Sequence, residues 1–404
     1  MNHTWTACLA AGGAAAALLL ACALGTPAAE NAPTAGANVC LRGNLANCRI
    51  QFERARKGHV AFIGGSITEM EGYRPMVSDL LKRRFPNTEF TFTAAGISST
   101  CSTTGAFRLA SDVLAKGPVD LFFIEFAVND DQDAGHARQE CIRGMEGILR
   151  QARRYNPKID IVITYFVNEG MMKTYREGKT PVSIAAHEEA AERYGISTIH
   201  LAREVTQEID AGTLTWQKYG GVHPAPFGNA LCTGMIDELM TRAWTRPLGA
   251  SDEMTAYPAP EPLDPLSYAS ARFVDPKEAA IKQGWKLDVP EWKKLKGSSR
   301  SRFTSIPMLW AEEPGAELTL KFTGTAVGAY IVAGPDAGIV EAGVDGGPLR
   351  EINLLHKYSM GLHYPRTVML ATDLKPGDHT LVLRISPKTE GTGHAMRIMQ
   401  FGVN

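Results

Sequence analysis

From about residue 58 to residue 245 the chain alternates short apolar runs with amphipathic stretches, and that alternation leaves it few folds. The runs at 60–63, 90–93, 121–126, 159–166 and 197–200 read as strands, being apolar over a strand's length rather than a helix's. Between and after them, the stretches 74–84, 106–115, 141–154, 182–194 and 230–244 read as helices. In the first of these, Met76, Val77, Leu80 and Leu81 recur at the spacing of one helix face. Strands without polar alternation need cover on both sides. Strand–helix repeats at this pitch therefore predict a parallel sheet with helices on both faces, a three-layer α/β/α domain over 55–246.

The pattern changes after residue 246. Residues 247–265 are rich in Pro, Asp and Ala without periodicity and read as a linker. Short strands follow at 317–322, 326–332, 339–344, 367–371 and 379–385, separated by turns such as Asp345-Gly346-Gly347 and Lys375-Pro376-Gly377-Asp378. This predicts an all-β sandwich, jelly-roll-like, over 266–404. A length of 404 residues suits two such domains, and 44% hydrophobic residues suffice for two cores. The formal net charge is -1 and no Lys/Arg block occurs, so nucleic acid is not an expected partner.

The first 29 residues hold no Asp, Glu, Lys or Arg, and the apolar run 14–24 ends in Thr26-Pro27-Ala28-Ala29. The run is short for a membrane span and reads as a cleaved secretory signal over 1–29, followed by a polar leader over 30–54. Leu19-Leu20-Ala21-Cys22 also reads as a lipoprotein site, with Cys22 carrying the anchor. Either reading predicts export to the periplasm or beyond, with no integral membrane segment in the mature chain. Export makes the five remaining cysteines disulfide candidates. Cys40 and Cys48 bracket a short polar loop and form the first pair expected; Cys101 and Cys141 form the second. The spacings do not resemble a zinc site. Oligomeric state is not set by the sequence.

The chemistry is carried by four short blocks. In Phe62-Ile63-Gly64-Gly65-Ser66-Ile67-Thr68-Glu69 an apolar strand meets two glycines and a serine just before a helix. The glycines permit a tight turn, and Ser66 lies either at an exposed helix start or in an ordinary N-cap. Ala95-Gly96-Ile97-Ser98 follows the second strand, Ala127-Val128-Asn129-Asp130 the third, and Gly221-Val222-His223-Pro224 precedes the last helix. Ser66, Gly96 and Asn129 thus each follow the carboxyl end of a strand, where open α/β sheets bind ligands. Acyl transfer needs a nucleophile, a base and donors for an oxyanion. Ser66 and His223 supply the first two. The backbone N–H groups of Ser66 and Gly96 and the Asn129 amide supply the donors.

In this order the blocks resemble the SGNH (GDSL-type) hydrolase superfamily, over roughly 55–245. The resemblance implies a flavodoxin-like fold and ester hydrolysis through an acyl-enzyme on Ser66, with His223 as base and no metal or organic cofactor. Two positions depart from the family pattern. Ala127 stands where glycine is common, and Gly220 stands where an aspartate usually precedes the histidine by three residues. Loss of the correct tautomer costs about four orders of magnitude in a triad. The expected substitute is a backbone carbonyl within 216–221 accepting the Nδ1 proton, which makes a supported Ser–His dyad. An acid from elsewhere, including the second domain, stays open.

Arg108 either holds a substrate oxygen or pairs with Asp112 one turn on. Trp216 and Tyr219 either stack on a sugar or pack the loop carrying His223. Asp130 is expected to bond its own loop, and Thr68 and Glu69 to occupy the first helical turn. His363-Tyr364-Pro365-Arg366 either reaches the cleft and binds carbohydrate or closes a strand end. An appended sandwich on an exported esterase suggests, by analogy of architecture, O-acetyl groups on a carbohydrate or polysaccharide. The alternatives are a lipase or thioesterase with an apolar acyl slot, an acyltransferase, and a catalytically weak carbohydrate-binding protein on an esterase scaffold.

Overall fold

Six strands form the first sheet of the computed structural model, which describes residues 38–404: β1 (Val39–Cys40), β2 (Lys57–Gly64), β3 (Glu89–Gly96), β4 (Leu121–Glu125), β5 (Asp160–Thr164) and β6 (Ser197–Ile199). Their order is β1-β6-β5-β4-β2-β3. Strands β2 to β6 pair in parallel, in register from Gly64 opposite Gly96 to Thr164 opposite Ile199. The chain steps from β2 outward to β3, then returns across β2 to β4. The carboxyl ends of these three strands therefore border the point where the winding reverses, and an open crevice forms there. Strand β4 is buried at all five positions and Val60 to Ile63 of β2 are fully buried, as helix cover on both faces requires.

The sheet is not wholly parallel. β1 pairs antiparallel with β6, Val39 opposite Ile199, and comes from the segment expected as a leader. Behind it the helix Ala46–Ile50 and its continuation Gln51–Ala55 bury Phe52 edge-on against Phe85 and Phe90. A two-residue strand and two five-residue helical pieces are too short to show periodicity, so composition hid this part of the fold. The residues read as a secretory signal, Cys22 included, lie outside the described residues. Neither expected disulfide forms: Cys48 is a free buried thiol donating to the Leu45 carbonyl, and Cys101 and Cys141 are free and buried. No helix among the described residues is long and apolar enough to cross a membrane.

Residues 247–265 carry no regular structure, but they are strapped to the α/β layer. The Tyr257 hydroxyl donates to Asp160, and the Arg153 guanidinium lies 4.0 Å over the Tyr257 ring. The backbone N–H groups of Leu263 and Asp264 donate to the two oxygens of buried Glu146 at 2.7 and 3.0 Å. Beyond the strap, two antiparallel sheets enclose a second core that includes Leu318, Leu320, Val340, Leu381, Leu383 and Phe401. One sheet runs Tyr364–Ala371, Val327–Ala333, Met396–Val403, Met308–Ala311, Lys286–Asp288. The other runs Arg350–Asn353, Ile339–Val344, Gly377–Ile385, Glu317–Gly324, Ala280–Gln283. The sandwich docks on the helix Ser102–Asp112. Phe107 of that helix is buried against Tyr268 (ring centroids 5.4 Å) and stacked on Phe273 (6.2 Å).

Candidate active site

Ser66 opens the one-turn helix Ser66–Glu69 immediately after β2, and its Oγ lies 2.8 Å from His223 Nε2. The pair faces solvent: Ser66 is half-buried and His223 exposed. Nε2 can therefore accept the hydroxyl proton when the neutral ring carries its own proton on Nδ1. Two glycines bring the neighbouring loops up to this helix. A Cβ at Gly96 would overlap the backbone of Thr68 and Glu69, and a Cβ at Gly65 would overlap the side-chain amide of Asn129. Ser66, Gly96, Asn129 and His223, separated in sequence, thus meet at the switch point of the sheet.

Asn129 is buried; its Nδ2 donates to Asp133 and its Oδ1 has no hydrogen-bond partner among the described residues. One N–H of Nδ2 stays unassigned, which is what an oxyanion donor needs. Burial pushes the Asp133 carboxyl up in pKa, against the hydrogen bond from Asn129 and the influence of the nearby Tyr364, Lys357 and His223. Beneath Ser66, Glu125 at the end of β4 accepts from Gly65 N (3.3 Å) and Thr68 Oγ1 (3.2 Å). Burial pushes its carboxyl up to about 7 despite those bonds, and its second oxygen has no partner.

Asp130 accepts from Ser102 N (2.7 Å), Ser102 Oγ (2.6 Å) and His187 Nε2 (2.9 Å). Burial alone would raise its pKa, but the His136 imidazole 3.7 Å away and the hydrogen bond from His187 outweigh it and hold the carboxyl well below the usual range. Its work is to pin the loop after β4 to the start of the helix Ser102–Asp112, whose first residue it caps.

Three expected roles need correction. Arg108 does not face a substrate: it is buried, donates to the carbonyls of Ala95 (2.6 Å) and Gly64 (2.9 Å), and pairs with Asp112 at 3.0 Å. It ties together the ends of β2 and β3. Tyr219 is fully buried and stacked on Trp216 at 5.5 Å, so the two rings pack the turn before His223, and Tyr219 has no face for a sugar. No carbonyl within 216–221 accepts from His223; its one hydrogen bond among the described residues is to Ser66. The reason lies in the same turn. Gly220 has φ +111° and Gly221 φ +82°, and a Cβ at 220 would overlap the backbone nitrogen of Ala225. Ala225 N instead donates to Tyr219 O at 2.9 Å. The turn is built for glycine, and the family's carboxylate has no room in it.

Sequence reasoning missed the grip of the second domain. Arg302 donates to Glu69 Oε1 at 2.7 Å, while the other Glu69 oxygen accepts from Ser98. Arg300 reaches the Ser98 carbonyl and Ser99 Oγ, both at 2.9 Å. His356 Nε2 lies 2.7 Å from the Asp133 carbonyl oxygen, and Tyr364 OH donates to the Ser99 carbonyl at 3.3 Å. The one signal available was His363-Tyr364-Pro365-Arg366. Its Tyr364 does reach the site loops, whereas its buried His363 bonds the Lys296 carbonyl within the sandwich.

Comparison with known proteins agrees with this fold. Residues 62–231 match the family of GDSL-like lipases/acylhydrolases. A two-domain esterase (CEX) active on acetylated mannans shares the fold along almost the whole chain. In its complex with mannopentaose it is 20% identical, with a TM-score of 0.71, and the match covers 90% of this chain and 96% of that one. A second structure of the same esterase gives 21% identity, a TM-score of 0.71 and the same coverage. No curated protein sequence matches the chain.

Proposed function

Residues 62–231 being a GDSL-like lipase/acylhydrolase domain, the chain is a carboxylic ester hydrolase, and we propose that it is an exported serine esterase removing O-acetyl groups from a carbohydrate or polysaccharide. The observation that carries the reading is the 2.8 Å contact of Ser66 Oγ with His223 Nε2 at the switch point of the sheet. Ser66 Oγ attacks the acetyl carbonyl as His223 Nε2 takes its proton. The negative charge developing on the carbonyl oxygen is met by the N–H groups of Ser66 and Gly96 and by the Asn129 amide. The imidazolium then protonates the departing sugar oxygen, leaving acetyl on Ser66. Water, deprotonated by the same nitrogen, attacks that ester and releases acetate and free Ser66.

A reacting pair open to solvent suits an acetyl group on a polymer, which has to be approached from outside. The activity of the two-domain esterase of the same fold on acetylated mannans supports the substrate class. That no described residue bonds His223 Nδ1 favours one rival, a weakly catalytic carbohydrate-binding protein. The test is acetate release from acetylated mannan and xylan, and from p-nitrophenyl acetate, by the wild type and Ser66→Ala. Release that depends on Ser66 supports the esterase; equal rates remove it in favour of the binding protein.

A further inference from the structure

Between the two domains, one hydrogen bond from the Asn129 amide, lies a cavity of about 280 Å³, on the scale of small-ligand sites. It is walled by Ser99 and Cys101 from the loop after β3, Asp133 and His136 from the loop after β4, and Tyr364 and Arg366 from the sandwich. Arg366 is half-buried and has neither a hydrogen bond nor an ion pair among the described residues. It is the one arginine of which this is true. Every other buried or half-buried arginine there is held, as Arg108 is by Asp112, Arg143 by Asp264, and Arg397 by both oxygens of Asp336.

The two carboxylates in the cavity wall are already engaged. Asp133 accepts from Asn129, and Glu140 accepts from the Tyr268 hydroxyl at 2.8 Å. The titratable groups that bear on Arg366 are the Cys101 thiol, the Tyr364 phenol and the His356 imidazole, none of them a carboxylate. A guanidinium drawn out of bulk water without a counter-charge is costly, and the cost falls sharply when an anion enters. Its planar fork matches a carboxylate with two parallel N–H···O bonds.

We propose that this cavity is a binding site for a carboxylate, with the Arg366 guanidinium as its ion-pairing group. The carboxylate comes either from an acidic sugar of the polymer deacetylated at Ser66 or from a free sugar acid; the first source rests on the esterase reading, the second does not.

The test is calorimetric titration of the full chain with D-glucuronate and, as the neutral control, D-glucose. The wild type is expected to bind glucuronate in preference to glucose. Arg366→Gln is expected to weaken glucuronate at least about tenfold, while Arg366→Lys, which keeps the charge and loses the fork, retains part of the affinity. Acetate release from acetylated glucuronoxylan and from acetylated mannan separates the sources. A ratio of kcat/KM, acidic over neutral, that falls about tenfold in Arg366→Gln assigns the carboxylate to the polymer. An unchanged ratio with glucuronate binding lost assigns it to the free acid. Equal affinity for glucuronate and glucose overturns the proposal, as does undiminished glucuronate affinity in either variant with a wild-type thermal midpoint. A wild type that binds glucuronate but hydrolyses no ester, p-nitrophenyl acetate included, ends the esterase reading and leaves this one standing.

Discussion

Ser66 and His223 touch through a single hydrogen bond, and no other described residue bonds the ring nitrogens of the imidazole. Ser66→Ala is expected to lower kcat on p-nitrophenyl acetate by about 10³-fold or more, with the thermal midpoint unchanged. Restoring the family's aspartate is not expected to improve the enzyme. Gly220→Asp places a Cβ against Ala225 N at a φ of +111°, so it should cost about 2–4 kcal/mol of stability and lower kcat as the His223 turn is displaced. Thermal unfolding and kcat on the same ester check both. Glu125 makes a pH statement. Its carboxyl is raised from 4.5 to about 7 in the fold, so the folded chain holds that proton more tightly than the unfolded one. The resulting penalty is absent below about pH 4.5, grows as pH rises towards 7, and amounts to roughly 3 kcal/mol at full burial. Glu125→Gln is therefore expected to gain stability over the wild type as pH rises from 5 to about 8, read from paired denaturant curves. That the four block residues come together could be expected from the sequence, because each sits beside a strand end or the last helix. Glu125 and Asp133 could not, since an acid inside or just past an apolar strand looks like any solvated charge until its burial is known.

The element that positions Ser66 is the four-residue helix Ser66–Glu69, and it is held partly by the sandwich. Arg302 pairs with Glu69, while Arg300 holds the Ser98–Ser99 loop that follows Gly96. The double variant Arg300→Ala, Arg302→Ala is expected to lower kcat/KM about tenfold, mostly through kcat, because loops that set oxyanion geometry loosen while the core is untouched. Arg302 is exposed enough that little change in global stability should accompany it. At this scale the long periodic elements were legible and the short or mixed ones were not. The helix Ser102–Asp112 begins four residues before its apolar periodicity does, since Ser102, Thr103 and Thr104 are buried polar residues. The strand Met396–Val403, central in its sheet, escaped because Arg397 interrupts it; that guanidinium is buried and paired with Asp336. A sequence shows the charge of such a residue and not its partner.

Across the whole molecule, the α/β layer carries Ser66, Gly96, Asn129 and His223, and the sandwich holds the loops beside them through Arg300, Arg302, His356 and Tyr364. A chain ending after residue 264 would uncover Phe107, now sealed by Tyr268 and Phe273. It is expected to bind hydrophobic dyes and aggregate at concentrations where the full chain stays dispersed. Two domains were readable from the change of pattern near residue 247. Their union was not, because it rests on contacts such as Thr104 with Thr367 and Arg143 with Asp373, between residues that look like ordinary surface. The most direct test of the proposed chemistry is rapid quenching during turnover of p-nitrophenyl acetate, followed by peptide mapping by mass spectrometry. One acetyl group on the peptide containing Ser66, absent in Ser66→Ala and formed far more slowly in His223→Ala, is the expected result. Acetyl on another residue, or turnover undiminished in Ser66→Ala, would contradict it.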